Sequence, residues 1–367
     1  MITKLSLENF KGFKYLEVPE TSTITLIGGQ NNIGKTSLLE GIFLFYDIGN
    51  PTMLMRHLAW RGVSMVSIDP DTIITPIFYD FDLKRNLKIA VVDENYDAMM
   101  EIVFNVDTAQ QSVRIDLAQS KDALSQIKTD LLPQLSYNFK ISYIIKGLEP
   151  QSSNLLINRS PSNLNIQFTS GTIRGLPEQM RNGAIYLGLQ MNTNVDDALR
   201  FAQLDIGKRS SQVIQFLQTL EPKLVGLSSV PGPQQNPMLY ADVGMDRKIP
   251  MAFLGGGMNR LLSIVLAIAT AKNGIVLIDE VDAGIHYSHM AKVWEGISRA
   301  AREFNCQVFA TTHSYECLQA AYNGIAQADM ASEFRYTRLE RSEQEIVAKT
   351  YTHDVLGAAI GRGWEVR

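Results

Sequence analysis

The sequence predicts an α/β fold with a mainly parallel core sheet, a β-rich lobe and a helical insertion. Three short apolar runs carry that expectation: Ile24-Thr25-Leu26-Ile27, Ile275-Val276-Leu277-Ile278 and Val308-Phe309-Ala310-Thr311. Uninterrupted runs of this length suit strands covered on both faces. Each also ends in residues able to do chemistry: the first in a glycine-containing loop, the second in Asp279-Glu280, the third in Thr312-His313.

The loop Gly29-Gln30-Asn31-Asn32-Ile33-Gly34-Lys35-Thr36 lies between the first run and Ser37-Leu38-Leu39-Glu40-Gly41-Ile42-Phe43-Leu44, whose apolar positions suit a buried helix face. That strand, loop and helix order is the setting of a phosphate-cradling loop. Successive backbone N–H groups and the positive end of the helix make an anion site. Gly29 and Gly34 permit the tight dihedrals, Lys35 reaches phosphate as a point charge, and the Thr36 hydroxyl ligates Mg²⁺. A bound nucleoside triphosphate is the expectation, with Gln30 to Ser37 lining it.

The middle of the chain reads as strands near 74–82, 87–93, 101–106, 112–116, 138–146 and 163–169, broken by turn residues. Lys84-Arg85-Asn86-Leu87-Lys88 then reads as the turn of a hairpin between 77–81 and 89–92, and Pro150 to Asn165, rich in Ser, Pro and Asn, as a mobile loop. Between Val195 and Leu224 the pattern becomes helical, with Val213, Ile214, Phe216, Leu217 and Leu220 at core spacing. No heptads are sustained, which excludes a long coiled-coil arm.

Further on, Gly255-Gly256-Gly257 opens a strongly apolar helix over Leu261 to Ala269. Three glycines at a helix start expose N–H groups for a second anion contact, although the same residues alone read first as a hinge. Asp279 at a strand end would hold Mg²⁺, and Glu280 beside it would polarise a water as general base. His313 would sense a γ-phosphate, although a lone His at a strand end is more often structural.

The 367 residues carry a net charge of −4 and 45% hydrophobic residues. With a mean hydropathy of −0.04 and a pI near 5.8, these describe a soluble chain with a large core. The acidic balance argues against constitutive coating of nucleic acid and leaves DNA open as a local partner, through Arg56 and Arg61 or through Lys84 to Lys88. No apolar run reaches the ~20 residues of a membrane span, and no signal-peptide core follows Met1, so a cytoplasmic protein is expected. Cys306 and Cys317 lack metal-ligand spacing and read as reduced packing residues.

Taken in order, these motifs resemble the ATP-binding-cassette heads of the SMC, RecF and OLD-type ATPases. They are most similar to the small AAA-type ATPases of phage-defence operons, of the toxin-restraining PARIS kind. The resemblance begins at Ile2 to Phe13. It continues through the Asn31-Asn32 loop, Gly255-Gly256-Gly257, Asp279-Glu280 with Asp282-Ala283-Gly284-Ile285-His286, and His313-Ser314-Tyr315-Glu316, and ends with Glu365-Val366-Arg367. It implies an ABC-ATPase-like head divided as 1–50 (phosphate loop), 51–180 (β-rich lobe), 181–250 (helical segment) and 251–367 (signature, acidic strand and His strand).

It further implies hydrolysis of ATP with Mg²⁺, catalysed by Glu280, His313 and Lys35, with Thr36 and Asp279 on the metal. Lys11 approaches the phosphates from the first strand. Gly255 to Gly257 with Arg260 act in trans across a homodimer or higher homo-oligomer. The usual signature serine is missing here, because Gly255 follows Leu254, so a trans contact falls to backbone N–H groups. Gln190 is the candidate for a glutamine loop. Fewer than 90 residues follow Glu280, too few for a nuclease domain beside the His strand and its closing strands, so an effector, nuclease or toxin, is expected on a separate polypeptide. The resulting expectation is a nucleotide-dependent switch of bacterial antiphage defence; the alternative is a RecF-like ATP-dependent DNA-binding repair clamp.

Overall fold

The computed structural model describes residues 1–47, 50, 74–105, 135–159, 164–170, 176–177, 180, 182–189, 194–218, 221–232, 236–343 and 345–365. The expected strand at 112–116, Arg56, Arg61, Gln190, Leu220, Val366 and Arg367 lie outside the described residues.

The chain begins in an antiparallel sheet. Strands β1 (Ile2–Phe10) and β2 (Phe13–Val18) form a hairpin before β3 (Ile24–Gly29) carries the chain into a second sheet and helix α1 (Lys35–Tyr46) follows. Strands β4 (Leu87–Asp93), β5 (Asp97–Asn105), β6 (Leu135–Ile145), β7 (Gln151–Arg159) and β8 (Leu164–Ser170) return to the first sheet, giving seven antiparallel strands ordered β2-β1-β4-β5-β6-β7-β8. Burial along β4 alternates, with Leu87, Ile89 and Val91 inward, as a sheet covered on one face requires.

The second sheet is built from distant parts of the chain. β9 (Ala184–Leu187) joins its edge, and helices α2 (Asn194–Ile206) and α3 (Ser210–Gln218) follow. The chain then forms a small antiparallel sheet of β10 (Gly226–Pro231), β11 (Pro237–Asp242) and β12 (Ile249–Pro250). Helix α4 (Gly256–Thr270) leads to β13 (Ile275–Ile278), α5 (Tyr287–Glu303), β14 (Gln307–Thr311), α6 (Tyr315–Gln327), β15 (Phe334–Ser342), β16 (Glu345–Thr352) and α7 (His353–Gly361). The six strands run β16-β15-β3-β14-β13-β9, parallel from β15 to β9, with only the edge pair β15–β16 antiparallel.

Every residue of β3, β13 and β14 is buried because both faces are covered. Ile275, Leu277 and Phe309 join one core with α1 and the antiparallel sheet; Val276, Ile278, Val308 and Ala310 join another with α2 to α6. In α4, Leu261 to Ala269 are all buried, each Leu, Ile or Val contributing about 1.5–3 kcal/mol of transfer free energy. Helix α5 is amphipathic, burying Met290, Val293, Trp294, Ile297 and Ala301 at helical spacing. Among the described residues no helix is long and apolar enough to cross a membrane.

Several expectations are corrected. Residues 74–82 form two 3₁₀ turns, Thr75–Ile77 and Tyr79–Phe81, and pair with the sheet through one isolated bridge, from Phe78 to Phe10. Pro76 lacks a ladder donor, and Asp80 and Phe81 take left-handed φ of 51° and 57°, which breaks extended backbone. Lys84 to Lys88 therefore do not turn a local hairpin; β4 pairs with β1 and β5 instead. Much of 150–165 is strand β7, its backbone paired to β6 and β8 despite a loop-like composition. The 181–250 segment is only partly helical, since β9 to β12 lie within it.

Candidate functional site

The C-terminal ends of β3, β13 and β14 meet, because parallel strands of one sheet deliver their following loops to one edge. There the loop after β3 turns into α1 through Gly34, in left-handed conformation with φ 102°. A Cβ at Gly34 would lie 2.7 Å from the Phe13 ring, so glycine is required both by the dihedral and by the close approach of the β1–β2 hairpin. No side chain caps the start of α1, which leaves its N–H groups and dipole directed at the loop. Gln30, Asn31 and Asn32 are exposed, whereas Ile33 is buried and presents only its backbone.

The loop borders a cavity of about 700 Å³ lined by Asn31, Asn32, Gly34 to Ser37, Glu40, Tyr186, Gly188, Leu189, Asp279, Glu280 and His313. Lys35 Nζ donates to the carbonyls of Gly29 at 2.8 Å and Gln30 at 2.9 Å. Burial lowers its pKa from the ordinary lysine value, opposed by the nearby Glu280, Asp279 and Asp282. Thr36 Oγ1 donates to both carboxylate oxygens of Asp279, at 3.1 and 3.0 Å. A hydroxyl and a carboxylate so close form a hard-oxygen donor set, and these residues fit Mg²⁺, which takes one or two carboxylates together with substrate phosphates.

Glu280 adopts a left-handed φ of 48° at the end of β13, with its side chain 38% exposed. His313 Nδ1 lies 3.9 Å from Glu280 Oε1, so the residues expected as sensor and base are neighbours. Thr312 Oγ1 donates to Asp282 Oδ1 at 2.9 Å, tying the His strand to the turn after the acidic strand, and Ser314 caps α6.

Other expected residues occupy different places. Lys11 forms an ion pair with Glu40 of α1, a residue that borders the cavity. Gly255 to Gly257 do not line the cavity of their own chain. They head α4 beside the Asp282–His286 turn, where a Cβ at Gly257 would lie 2.4 Å from the Gly284 carbonyl. Arg260, expected in trans, has partners in its own chain. It is turned into its own chain, donating to the carbonyls of Gly188 at 3.3 Å, Leu187 at 3.4 Å and Asp279 at 2.5 Å. Burial lowers its pKa, and the charge of Asp279 works against that shift.

Sequence reading missed Glu40 and Thr311. A carboxylate in the buried stripe of α1 was the available signal for the first. For Thr311, the polar residue that ends the apolar run of β14, only the tertiary structure shows the partner: its hydroxyl donates to Asp279 Oδ1 at 2.7 Å.

Comparison with known proteins adds a family. The AAA ATPase domain matches residues 1–187 and 80–318, overlapping stretches that cover most of the chain. An ATP/GTP phosphatase of Helicobacter pylori is 24% identical over 371 residues, 96% of this chain and 95% of that protein. The DNA replication and repair protein RecF of Rickettsia massiliae is 50% identical over 42 residues, 11% of this chain and 12% of that one. Among solved structures, the Smc head domain of Pyrococcus furiosus, bound to the C-terminal domain of ScpA, aligns over 98% of both chains at 10% identity, with a TM-score of 0.48.

Proposed function

The chain belongs to the AAA ATPase domain family, and from that premise we propose that it is a self-associating, nucleotide-dependent switch that hydrolyses ATP and controls a separate effector in bacterial antiphage defence. The observation that carries the hydrolytic part is the meeting of the α1 start, Lys35, Thr36, Asp279, Glu280 and His313 around one cavity. In this reading the loop N–H groups from Gln30 to Ser37 and Lys35 hold the phosphates, and Thr36 and Asp279 hold Mg²⁺. The metal's chemistry is charge neutralisation on the phosphate oxygens. Glu280 accepts a proton from the attacking water, and His313 orients that carboxylate and the terminal phosphate. The name of the Helicobacter pylori relative widens the substrate class to ATP and GTP.

Self-association is supported by the surface around the α4 start. Gly255 and Gly256 have open space where a Cβ would stand, and Phe253, just before them, and Tyr287, at the start of α5, are 79% and 71% exposed. An uncapped helix start with exposed aromatics at Phe253 and Tyr287 suits closure on the nucleotide of a second copy. The effector, nuclease or toxin, and the defence role rest on the motif resemblance to small phage-defence ATPases. Native mass spectrometry of the chain co-expressed with its genomic neighbours, with and without ATP, tests the switch. A small partner retained in one nucleotide state supports it; a chain that neither dimerises nor retains a partner in any state overturns it.

The second reading is an ATP-dependent DNA clamp. It is favoured by the short RecF match and by a surface cavity bordered by Lys14, Lys84, Arg85 and Lys88. Glu8, Asp82 and Glu345 pair with three of these four, which weakens the positive field there. ATP-stimulated, salt-sensitive binding of duplex DNA would establish it over the effector switch.

A further inference from the structure

The peptide joining Asp279 to Glu280 is gripped at both ends by side chains from two other elements. Its carbonyl accepts from Arg260 of α4 at 2.5 Å, and its N–H donates to Thr311 Oγ1 of β14 at 2.8 Å. The Thr311 hydroxyl has one proton, and it goes to Asp279 Oδ1 at 2.7 Å. One buried hydroxyl therefore fixes both the carboxylate placed to hold metal and the backbone of the carboxylate placed to take a proton.

Glu280 needs such support because its φ of 48° lies where side chains are disfavoured. Freed from the grip, the peptide can rotate toward ordinary extended geometry, carrying the Glu280 carboxylate away from the cavity. The Val281 N–H, bonded to the Thr311 carbonyl at 3.0 Å, continues the hold past the turn. Arg260 adds rigidity on the other side by bonding the ends of β9 and β13 with one planar fork.

We propose that Thr311 and Arg260 are positioning residues for hydrolysis: they hold the Asp279–Glu280 peptide in its left-handed turn, within their own subunit, so that Glu280 and Asp279 face the nucleotide together. The proposal rests on the hydrolytic reading of Glu280. It predicts that Thr311→Val lowers kcat about 10- to 100-fold, the scale of a small misplacement of a reacting group. KM for ATP should change less than about threefold, because the phosphate loop is untouched. Thr311→Ser, which keeps the hydroxyl, should recover most of the rate, and Arg260→Lys, which keeps charge but not the fork, should show the same split.

Amide hydrogen exchange supplies a readout independent of turnover. In the wild-type protein the Glu280 amide should exchange slowly although 38% of its side chain is exposed, and Thr311→Val should accelerate it. Rapid exchange in the wild type overturns the proposal by itself, even if Thr311→Val fails to fold. So does a Thr311→Val protein with wild-type kcat, or a Thr311→Ser protein as impaired as Thr311→Val. The two readings fail separately: wild-type turnover untouched by Glu280→Gln breaks the hydrolytic one, whereas turnover abolished by Glu280→Gln and indifferent to Thr311→Val breaks only this one.

Discussion

The two large sheets differ in how they use the same kind of residue. In the six-stranded sheet, β13 and β14 come from neighbouring stretches, but β3 arrives from near the N-terminus and β9 from the middle, and β3, β13 and β14 are buried throughout. In the seven-stranded sheet most neighbours in space are neighbours in sequence, and β4 alternates between buried and partly exposed positions. The parallel sheet collects loops from distant parts of the chain at one edge, which is what a site with several roles needs. The antiparallel sheet covers α1 and approaches the site at its β1–β2 hairpin, where Phe13 lies against Gly34 and Lys11 pairs with Glu40.

Substitutions can sharpen that contrast. The largest loss of stability is expected in the helical layer of the parallel sheet. Trp294→Ala removes a fully buried indole and should cost about 3–5 kcal/mol, read from chemical denaturation. At the site edge, Lys35→Ala should reduce turnover about 100- to 1,000-fold while the melting temperature stays near that of the wild type, since the lysine bonds only loop carbonyls. Gly34→Ala should cost about 1–3 kcal/mol through its left-handed φ, and it forces Phe13 to move; a neutral result would break the claim that the hairpin is clamped on the loop.

The cysteines give a pH test confined to the parallel half. Burial pushes the thiols of Cys306 and Cys317 up to about 12 from 9.0. The folded state thus keeps protons that the unfolded chain releases. This contribution to stability is fully present below pH 9.0 and is lost as pH rises toward 12. Alkylation at pH 8 should accordingly be slow in the folded protein and fast in denaturant. The smallest effect belongs to the antiparallel sheet: Lys88→Ala breaks an exposed 3.5 Å pair with Glu8 and should alter stability by less than about 0.5 kcal/mol.

The same contrast explains what could be read in the sequence. Strands β3, β13 and β14 were legible because burial on both faces forces an unbroken apolar run, and Lys35, Thr36, Asp279 and Glu280 because they follow those runs directly. Strand β7 was not, since Gln151 to Asn154 have a turn-like composition that the ladders to β6 and β8 override. Residues 74–82 misled in the other direction: their apolar content serves the buried Ile77 and Phe78 of a 3₁₀ connection, not a strand. The direction of Arg260 was illegible because helix periodicity gives a residue's face but not its partner; the Asp279 carbonyl it holds is 19 residues away.

In the proposed function Glu280 takes the proton in nucleotide hydrolysis at the edge of the parallel sheet. The most direct measurement is phosphate release by Glu280→Gln beside the wild type, with ATP binding followed in parallel. Binding should persist, and kcat should fall about 100- to 10,000-fold. A Glu280→Gln protein that binds ATP and releases phosphate at the wild-type rate would contradict it.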